Sequence, residues 1–411
     1  MTQPHESTAP DGASDASPPT ALWLLFIVTA LMSIGYGIVF TLLADIRDRF
    51  GFSDGDVGLI AFAGFASGFA SQMFLSRFAD RGHTALMVRI GMAIAASSML
   101  WMVFANDLWQ WVGGRLLFGL GTGMVAPAIR RVVIARDPAR VGANLGRQTA
   151  FDVGGFVLGP LIAAVLAQLI DLRAPFLFLF VTYVAVFGLI GRIDLHSGAQ
   201  DTTHRALRTL ITQPAMQSAL AAAIAFYLTI GTFEAIWAIL LRDLDAPTWL
   251  IGVTVSAFTL PMIFFASRGG ALAQSRGPIR ILTISIAIAA ICTFSYGIGP
   301  LWLLIVVSGI HASADAFTMP GNQVAVAMSS PPEQLATGQG LLGATGLAVA
   351  GLAALGGSAL YGTFGRFTVF TATAVLMLVF LLIARLRWQA YEATLPAAST
   401  GTMNASEAQP S

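Results

Sequence analysis

The sequence predicts an all-α integral membrane protein, with twelve transmembrane helices in two six-helix pseudo-repeats around a central cavity. Three observations predict it. First, the 411-residue chain is 56% hydrophobic and only 10% charged, whereas water-soluble domains carry roughly 25% charged residues. Too little polar surface remains to cover a globule in water. Second, apolar segments of the length that crosses a hydrocarbon core, about 20 residues, recur along the chain. Third, the charged residues gather in the intervals between those segments.

The first six segments cover about 21–44, 56–76, 85–105, 108–129, 146–170 and 174–191. Six more follow at about 214–241, 247–267, 280–298, 301–327, 335–360 and 367–384. The interval 192–213 holds Arg192, Asp194, Asp201, Arg205 and Arg208, and reads as a central cytoplasmic loop. The expected organisation is therefore a first six-helix bundle over 21–191, that loop, and a second bundle over 214–390. Residues 1–20 are rich in Pro, Ser, Ala and acid and have no basic n-region, so they read as a disordered tail and not as a signal peptide. Residues 391–411 read as a second disordered tail.

Arginine placement predicts orientation. All 22 basic residues are Arg. With the N-terminus inside, sixteen of them fall in the loops of one face, among them Arg77, Arg81, Arg89, Arg130, Arg131 and Arg385. Five fall on the other: Arg47, Arg49, Arg173, Arg242 and Arg366. Arg115 belongs to neither set, because it lies inside an apolar segment. This bias predicts a multi-pass protein of a cell inner membrane with both termini cytoplasmic. The formal net charge of +1 offers no field for nucleic acid.

The two halves carry matching features at offsets of 192–194 residues, or 195 after the one-residue gap in the first of them. Ser76–Gly82 (SRFADRG) aligns with Gly270–Gly277 (GALAQSRG) across a one-residue gap, Gly58 with Gly252, and Pro127 with Pro320. Gly146, Gly154 and Gly159 align with Gly338, Gly346 and Gly351. Parallel repeats of this kind place a solute site at the midplane between the halves, which rock about it.

Three motifs stand out. The loop after the second segment reads SRFADRGHTALMVR, with Asp80, Arg81 and Gly82 at its centre. The fourth segment holds GGRLLFGLGTG, in which Arg115 precedes Gly119, Gly121 and Gly123. Arginine within a membrane helix costs at least ~2.5–3.5 kcal/mol, so Arg115 must face a cavity or a partner, or snorkel to the outer interface. The fifth segment spaces Gly146, Gly155, Gly159-Pro160 and Ala163-Ala164. Its small residues allow close helix approach, and Pro160 removes a backbone hydrogen bond.

On these motifs the chain resembles the major facilitator superfamily, specifically its twelve-helix drug:proton antiporters, over about residues 21–390. It departs from the family pattern at Ser76, where a Gly is usual, at His83-Thr84, where basic residues are usual, and at Ala163-Ala164, which replace a Gly pair. The resemblance implies that Asp80 packs near a helix N-terminus and latches the halves on the cytoplasmic side. It implies a proton-coupling role for Arg115, and export as the direction of transport from the motif in the fifth segment.

Three acids lie inside apolar segments: Asp152, Glu234 and Asp315. Low dielectric favours the neutral form of a carboxylate, so such groups can bind and release protons near neutral pH. Asp152 has an ordinary alternative, pairing with Arg147, Arg130 or Arg131. Glu234 lies at a depth similar to that of Arg115, and a contact between the two across the halves is expected. Asp315 is deepest. His311 lies one turn away on the same face, and the two can pass a proton. Tyr36, Tyr227, Trp237 and Phe317 are candidates for an apolar cavity wall, with Asn322 and Gln323 as its adjacent polar pair.

No phosphate-cradling loop with Lys is present, the five His and one Cys show no metal-ligand spacing, and no nucleophile–base arrangement stands out. No cofactor and no metal are expected, nor an enzyme. The sequence is read as a proton-coupled exporter of small lipophilic or drug-like compounds, working by alternating access. The alternatives are an exporter of sugars or other metabolites, and, from another class, a membrane receptor or membrane-embedded enzyme. The expected partners are a small-molecule solute, protons and the bilayer, with the chain as a monomer.

Overall fold

The computed structural model describes residues 20–190 and 206–394. Most of the expected central loop and nearly all of both expected tails lie outside these residues. Within them the chain is helical. The helices are α1 Thr20–Phe50, α2 Asp54–Phe78, α3 Thr84–Phe104, α4 Leu108–Arg136, α5 Val141–Leu169 and α6 Ala174–Ile190, then α7 Ala206–Thr212, α8 Pro214–Asp243, α9 Thr248–Arg276, α10 Pro278–Ile298, α11 Leu301–Met328 and α12 Leu335–Glu392. The described part of the 192–213 interval is therefore the short helix α7 and not open loop. Its Leu210 is completely buried against residues of α8 and α12. Likewise α12 runs to Glu392, into the interval expected as tail.

Helix ends are set locally. Ser53 caps α2, accepting from the Asp56 backbone N–H while the Asp56 carboxylate accepts from the Ser53 N–H at 2.9 Å. Asp107 caps α4 by accepting from Gln110 N–H at 3.0 Å. Between α2 and α3 the axis breaks at Arg81 and Gly82, and Gly82 sits at φ +85°, where any side chain would be strained.

Helix α12 is 58 residues long, roughly 90 Å if straight at 1.5 Å per residue, about three times a ~30 Å hydrocarbon core. It doubles back at Gly365, whose φ of +75° and ψ of −179° suit glycine almost alone. Both limbs return to one turn of α8. The carbonyl of Ala350, before the break, lies 2.1 Å from where a Cβ on Gly231 would stand. The hydroxyl of Thr373, after it, lies 3.3 Å from that of Thr232.

Among the described residues nine stretches are long and apolar enough to cross a membrane, and Ala174–Ile190 is a shorter apolar helix. Two of the nine, Gly55–Phe104 and Pro332–Glu392, contain the breaks at Gly82 and Gly365. Large apolar side chains stay exposed along the outside, among them Phe264, Ile291 and Leu355. Such a surface is stable against lipid and not against water. Trp109, Trp249 and Trp302 are also exposed. They sit in the first turns of α4, α9 and α11, at the end of the bundle opposite the arginine-rich loops, where an aromatic belt meets an interface.

One buried cluster is drawn mainly from residues 25–190, and two others from residues 210–384. The first also takes in Ala273, Val324 and Ala336 from later helices, and these mark where the two groups of helices meet.

Candidate functional site

At the arginine-rich end Asp80, which follows α2, joins α4 to α12. Its side chain is completely buried. Oδ1 accepts from Arg131 Nε at 3.0 Å and from the Ala336 N–H at 2.9 Å. Oδ2 accepts from the Thr337 N–H at 2.8 Å and from Thr337 Oγ1 at 2.7 Å. The first N–H groups of a helix have no intrahelical acceptor, and the helix dipole favours an anion there. Asp80 thus satisfies the first turn of α12 while pairing with α4. Gly82 supplies the turn that aims it, and Arg81 lies 5.7 Å over the Phe78 ring.

At the same end, α5 and α9 meet backbone to backbone. A Cβ on Gly142 would stand 2.0 Å from the Gly270 carbonyl oxygen, one on Gly270 would stand 2.0 Å from the Gly142 oxygen, and one on Gly146 would stand 2.1 Å from the Ala266 oxygen. Gln274 Oε1 accepts from the Gly142 N–H at 2.7 Å, and Ser267 donates to the Ala143 carbonyl at 3.2 Å. The rest of the glycine motif in α5 faces α1. Gly155 packs on Ala30, and Gly159 and Pro160 pack on Gly37. Deeper in, Thr149 Oγ1 donates to Gln323 Oε1 at 3.4 Å, linking α5 to α11, and Gln339 Nε2 donates to the Gln323 carbonyl at 2.8 Å.

Asp315, on α11, is completely buried, and among the described residues neither carboxylate oxygen has a hydrogen-bond partner. His311 Nε2 lies 3.6 Å from Oδ2. The other ring nitrogen, Nδ1, lies 3.0 Å from the Tyr296 hydroxyl. Carboxyl, imidazole and phenol form a line from α11 to α10. Phe258 meets the His311 ring edge to face, with centroids 5.5 Å apart, and Trp237 meets Tyr296 the same way at 5.2 Å.

Arg115 is completely buried on α4. Its guanidinium carbon lies 5.3 Å from the Phe40 ring centroid, 5.6 Å from that of Tyr36 and 6.0 Å from that of Phe118. Nε reaches the Ile60 carbonyl at 3.4 Å, and both Nη atoms lack partners among the described residues. The side chain fills the space left by Gly64, where a Cβ would stand 2.6 Å from Nη2. Glu234, on α8, is exposed and makes no hydrogen bond or ion pair among the described residues. The expected Arg115–Glu234 contact is therefore not formed. Arg115 turns into aromatic rings of α1 and α4, and equal depth does not mean a shared direction.

Asp152, on α5, is half-buried and accepts from Ser33 Oγ on α1. It pairs with neither Arg147, which donates to Asn144 at 3.3 Å, nor Arg131, which binds Asp80. Arg130, Tyr36 and Tyr227 lie within range of its charge. The Tyr36 hydroxyl lies 2.8 Å from Thr122 Oγ1. Tyr227 packs its ring on Gly346, and Phe317 packs beside Gly269. Trp237 is 2% exposed and gives its indole N–H to Thr254 at 3.0 Å, so it is core and not open wall. Asn322 is buried, with both amide atoms unpartnered among the described residues.

A family model described as "Major Facilitator Superfamily" matches residues 25–240 and 219–402. The chain belongs to the major facilitator superfamily. Superfamily members are membrane transporters, not enzymes. The chain is 27% identical to the quinolone resistance protein NorA of Staphylococcus aureus over 187 residues, 44% of this chain and 47% of NorA. It thus spans about half the length of that curated relative. It is 24% identical to the multidrug resistance protein MdtG of Salmonella paratyphi A over 287 residues, 66% of this chain and 70% of MdtG. Among solved structures, the fucose:proton symporter FucP of E. coli superposes with a TM-score of 0.74 at 15% identity, covering 90% of this chain and 98% of FucP. The human organic anion transporter MFSD10 superposes with a TM-score of 0.67 at 16% identity, covering 90% and 100%. At these identities the structures show a shared major facilitator fold.

Within that superfamily fold, several of the residues that build the site lie outside the sequence motifs. Thr337 and Arg131 hold Asp80, Gly142 and Gly270 form the α5–α9 contact, and Tyr296 extends the Asp315–His311 line. The repeat aligns the SRFADRG loop with the stretch containing Gly270, and that alignment is the one sequence signal for the contact.

Proposed function

We propose that this chain is a proton-coupled exporter of small lipophilic or drug-like compounds, working by alternating access. Twelve crossings form two six-helix halves, residues 21–191 and 214–390, with both termini in the cytoplasm and the arginine-rich end facing it. The chain sits as a monomer in a cell inner membrane. The observation that carries the reading is Asp315, a buried carboxyl with no donor and no cation among the described residues to hold a negative charge, in line with His311 and Tyr296. Such a group is stored best as the neutral acid, and the line gives its proton a route. In this reading the contacts of Asp80 and of α5 with α9 act as a latch that keeps the cytoplasmic end closed.

In this mechanism Asp315 takes a proton from the outer side. Parting of Asp80 from α12 and of Gly142 from Gly270 then opens the inner side, where the proton is lost and solute enters. Glu234, exposed on α8, and Asp152, beside Tyr36 and Tyr227, are the groups a solute meets between the halves. Arg115 stabilises the first half from inside. The similarity to NorA and MdtG, whose names record drug resistance, supports drug-like compounds as the class. A sugar-like metabolite is the second reading, favoured by the unpartnered amide of Asn322.

The test is reconstitution of the full chain in liposomes with an imposed proton gradient and a panel of lipophilic compounds. Uptake driven by the gradient and lost in Asp315→Asn is the expected result. Gradient-independent transport, or unchanged coupling in Asp315→Asn, overturns the reading.

A further inference from the structure

A groove of about 510 Å³ opens on the outside of the bundle, at its arginine-rich end, between the start of α10 and the end of α12. It lies away from Asp315, Arg115 and the latch, and nothing in the transport reading uses it. Arg280 enters from α10 and Arg385 from α12, Ile279 and Ile284 line its apolar part, and Trp388 closes one side. Both arginines are exposed, and neither has a hydrogen bond or ion pair among the described residues. The acid in the groove, Glu392, accepts from Trp388 Nε1 at 2.8 Å and forms no ion pair with either guanidinium among the described residues, so two cations and one anion leave the groove net positive. Ile284 is 54% exposed, and its neighbours outside the groove, Leu382 and Leu386, are 57% and 55% exposed. The groove therefore continues into apolar surface suited to acyl chains.

We propose that this groove binds an anionic phospholipid of the leaflet that meets the arginine-rich end. The chemistry is complementary at both ends of such a molecule. Two unpaired guanidiniums on different helices can take a phosphate from two sides, and guanidinium matches phosphate oxygens bidentately. Basic pockets between membrane helices on that side suit anionic headgroups. Trp388 sits where an amphipathic ring settles at the interface. A water-borne phosphate would use the guanidiniums and leave the apolar part of the groove bare, which is why a lipid is the occupant assigned. Bridging α10 to α12 would brace helices that both pack on α8.

The experiment is native mass spectrometry of the full-length chain, released from micelles doped with phosphatidylglycerol or with phosphatidylcholine. Wild type retains phosphatidylglycerol in preference to phosphatidylcholine. Arg280→Gln and Arg385→Gln each weaken that retention about fivefold, and the double variant tenfold or more, from the ~1 kcal/mol that each surface arginine contributes near anionic lipid. Arg387→Gln, an exposed arginine that does not line the groove, leaves retention unchanged. The lysine pair Arg280→Lys and Arg385→Lys stays within about threefold of wild type, because charge is kept. Four results overturn the proposal: equal retention of the two lipids, an equal loss in Arg387→Gln, a lysine pair as weak as the glutamine pair, or displacement of the lipid by inorganic phosphate. None of them depends on whether protons or drugs are transported.

Discussion

Asp80 and Thr337 are 257 residues apart in sequence and share two hydrogen bonds, from the Thr337 N–H at 2.8 Å and from its hydroxyl at 2.7 Å. Together with Ala336 and Arg131 they give one carboxylate four donors in a buried site. Hydrogen bonds to a charged group are worth about 1.5–3 kcal/mol each. Asp80→Asn keeps the shape, removes the charge and turns one acceptor into a donor that faces N–H groups. We expect it to shift the equilibrium toward the state open at the arginine-rich end by about tenfold or more. Distances between spin labels on α2 and α12, read by pulsed electron resonance, would check this. An unchanged distance distribution would show that Asp80 is not the latch.

Gly142 and Gly270 set a second condition on the same closure. A methyl group at Gly142 would have to occupy space 2.0 Å from a backbone oxygen, which cannot yield as a side chain can. Gly142→Ala is therefore expected to part α5 from α9 and to reduce transport at least about tenfold, as overpacking costs typically 1–3 kcal/mol. Gly154→Ala is the matched control, since nothing lies within 4 Å of its Cβ position. Its transport rate should stay near wild type. Equal transport in the two variants would remove the steric argument.

The legible and illegible parts of this site divide along physical lines. His311 and Asp315 are four residues apart on one helix, so their 3.6 Å approach follows from helical geometry alone. The gap between the last two apolar segments, 361–366, contains Gly365, because a chain that reverses outside lipid needs a break there. Asp80 can be given a helix N-terminus by resemblance, but no local pattern names Thr337 as its donor. Arg115 and Glu234 show the opposite failure. Counting residues from a helix end gives depth, not azimuth, and the aromatic rings on α1 that capture Arg115 are visible only once the helices are packed. Trp237 escapes sequence reasoning for the same reason: an aromatic at the right depth can face the core as readily as the cleft.

Arg115 and Gly64 form a size-matched pair. The guanidinium occupies the volume a side chain at residue 64 would need, 2.6 Å from its Cβ position. Gly64→Ala should push Arg115 off its aromatic rings and destabilise the protein by about 1–3 kcal/mol. Arg115→Lys should also destabilise it, because an ammonium cannot lie flat across the Tyr36 and Phe40 rings. Thermal unfolding in detergent reads both. If Gly64→Ala costs nothing in wild type yet is harmful in Arg115→Ala, the pairing is refuted.

At the opposite end Arg49 Nη1 lies 2.9 Å from Asp171 Oδ2, with both side chains partly exposed. The Arg173 backbone N–H, followed by the hydrogen bond from Arg49, holds the Asp171 carboxyl below its usual range. A depressed acid stabilises the fold above its unfolded pKa and loses that contribution as pH falls through the folded value. Exposure limits the size, so Asp171→Asn should cost under about 1 kcal/mol at pH 7. The difference from wild type should shrink as pH falls below about 4. Melting curves of both proteins across that range check the sign, and a gap that widens toward acid would reverse it.

Tyr296 separates a proton line from a merely packed histidine. Its hydroxyl lies 3.0 Å from His311 Nδ1, and its ring also packs on Trp237 and Phe370. Tyr296→Phe keeps the ring contacts and removes only the hydroxyl. If the line carries protons, this variant should fold as wild type does and slow gradient-driven transport by about a hundredfold, the lower end of the range typical of a lost proton-transfer partner. Its pH–rate profile should move as well, while counterflow of solute without a gradient is spared. His311→Gln should lose both the slope of the profile and the coupling. A Tyr296→Phe protein with wild-type coupling would confine Tyr296 to packing and leave Asp315 and His311 to exchange protons by another route.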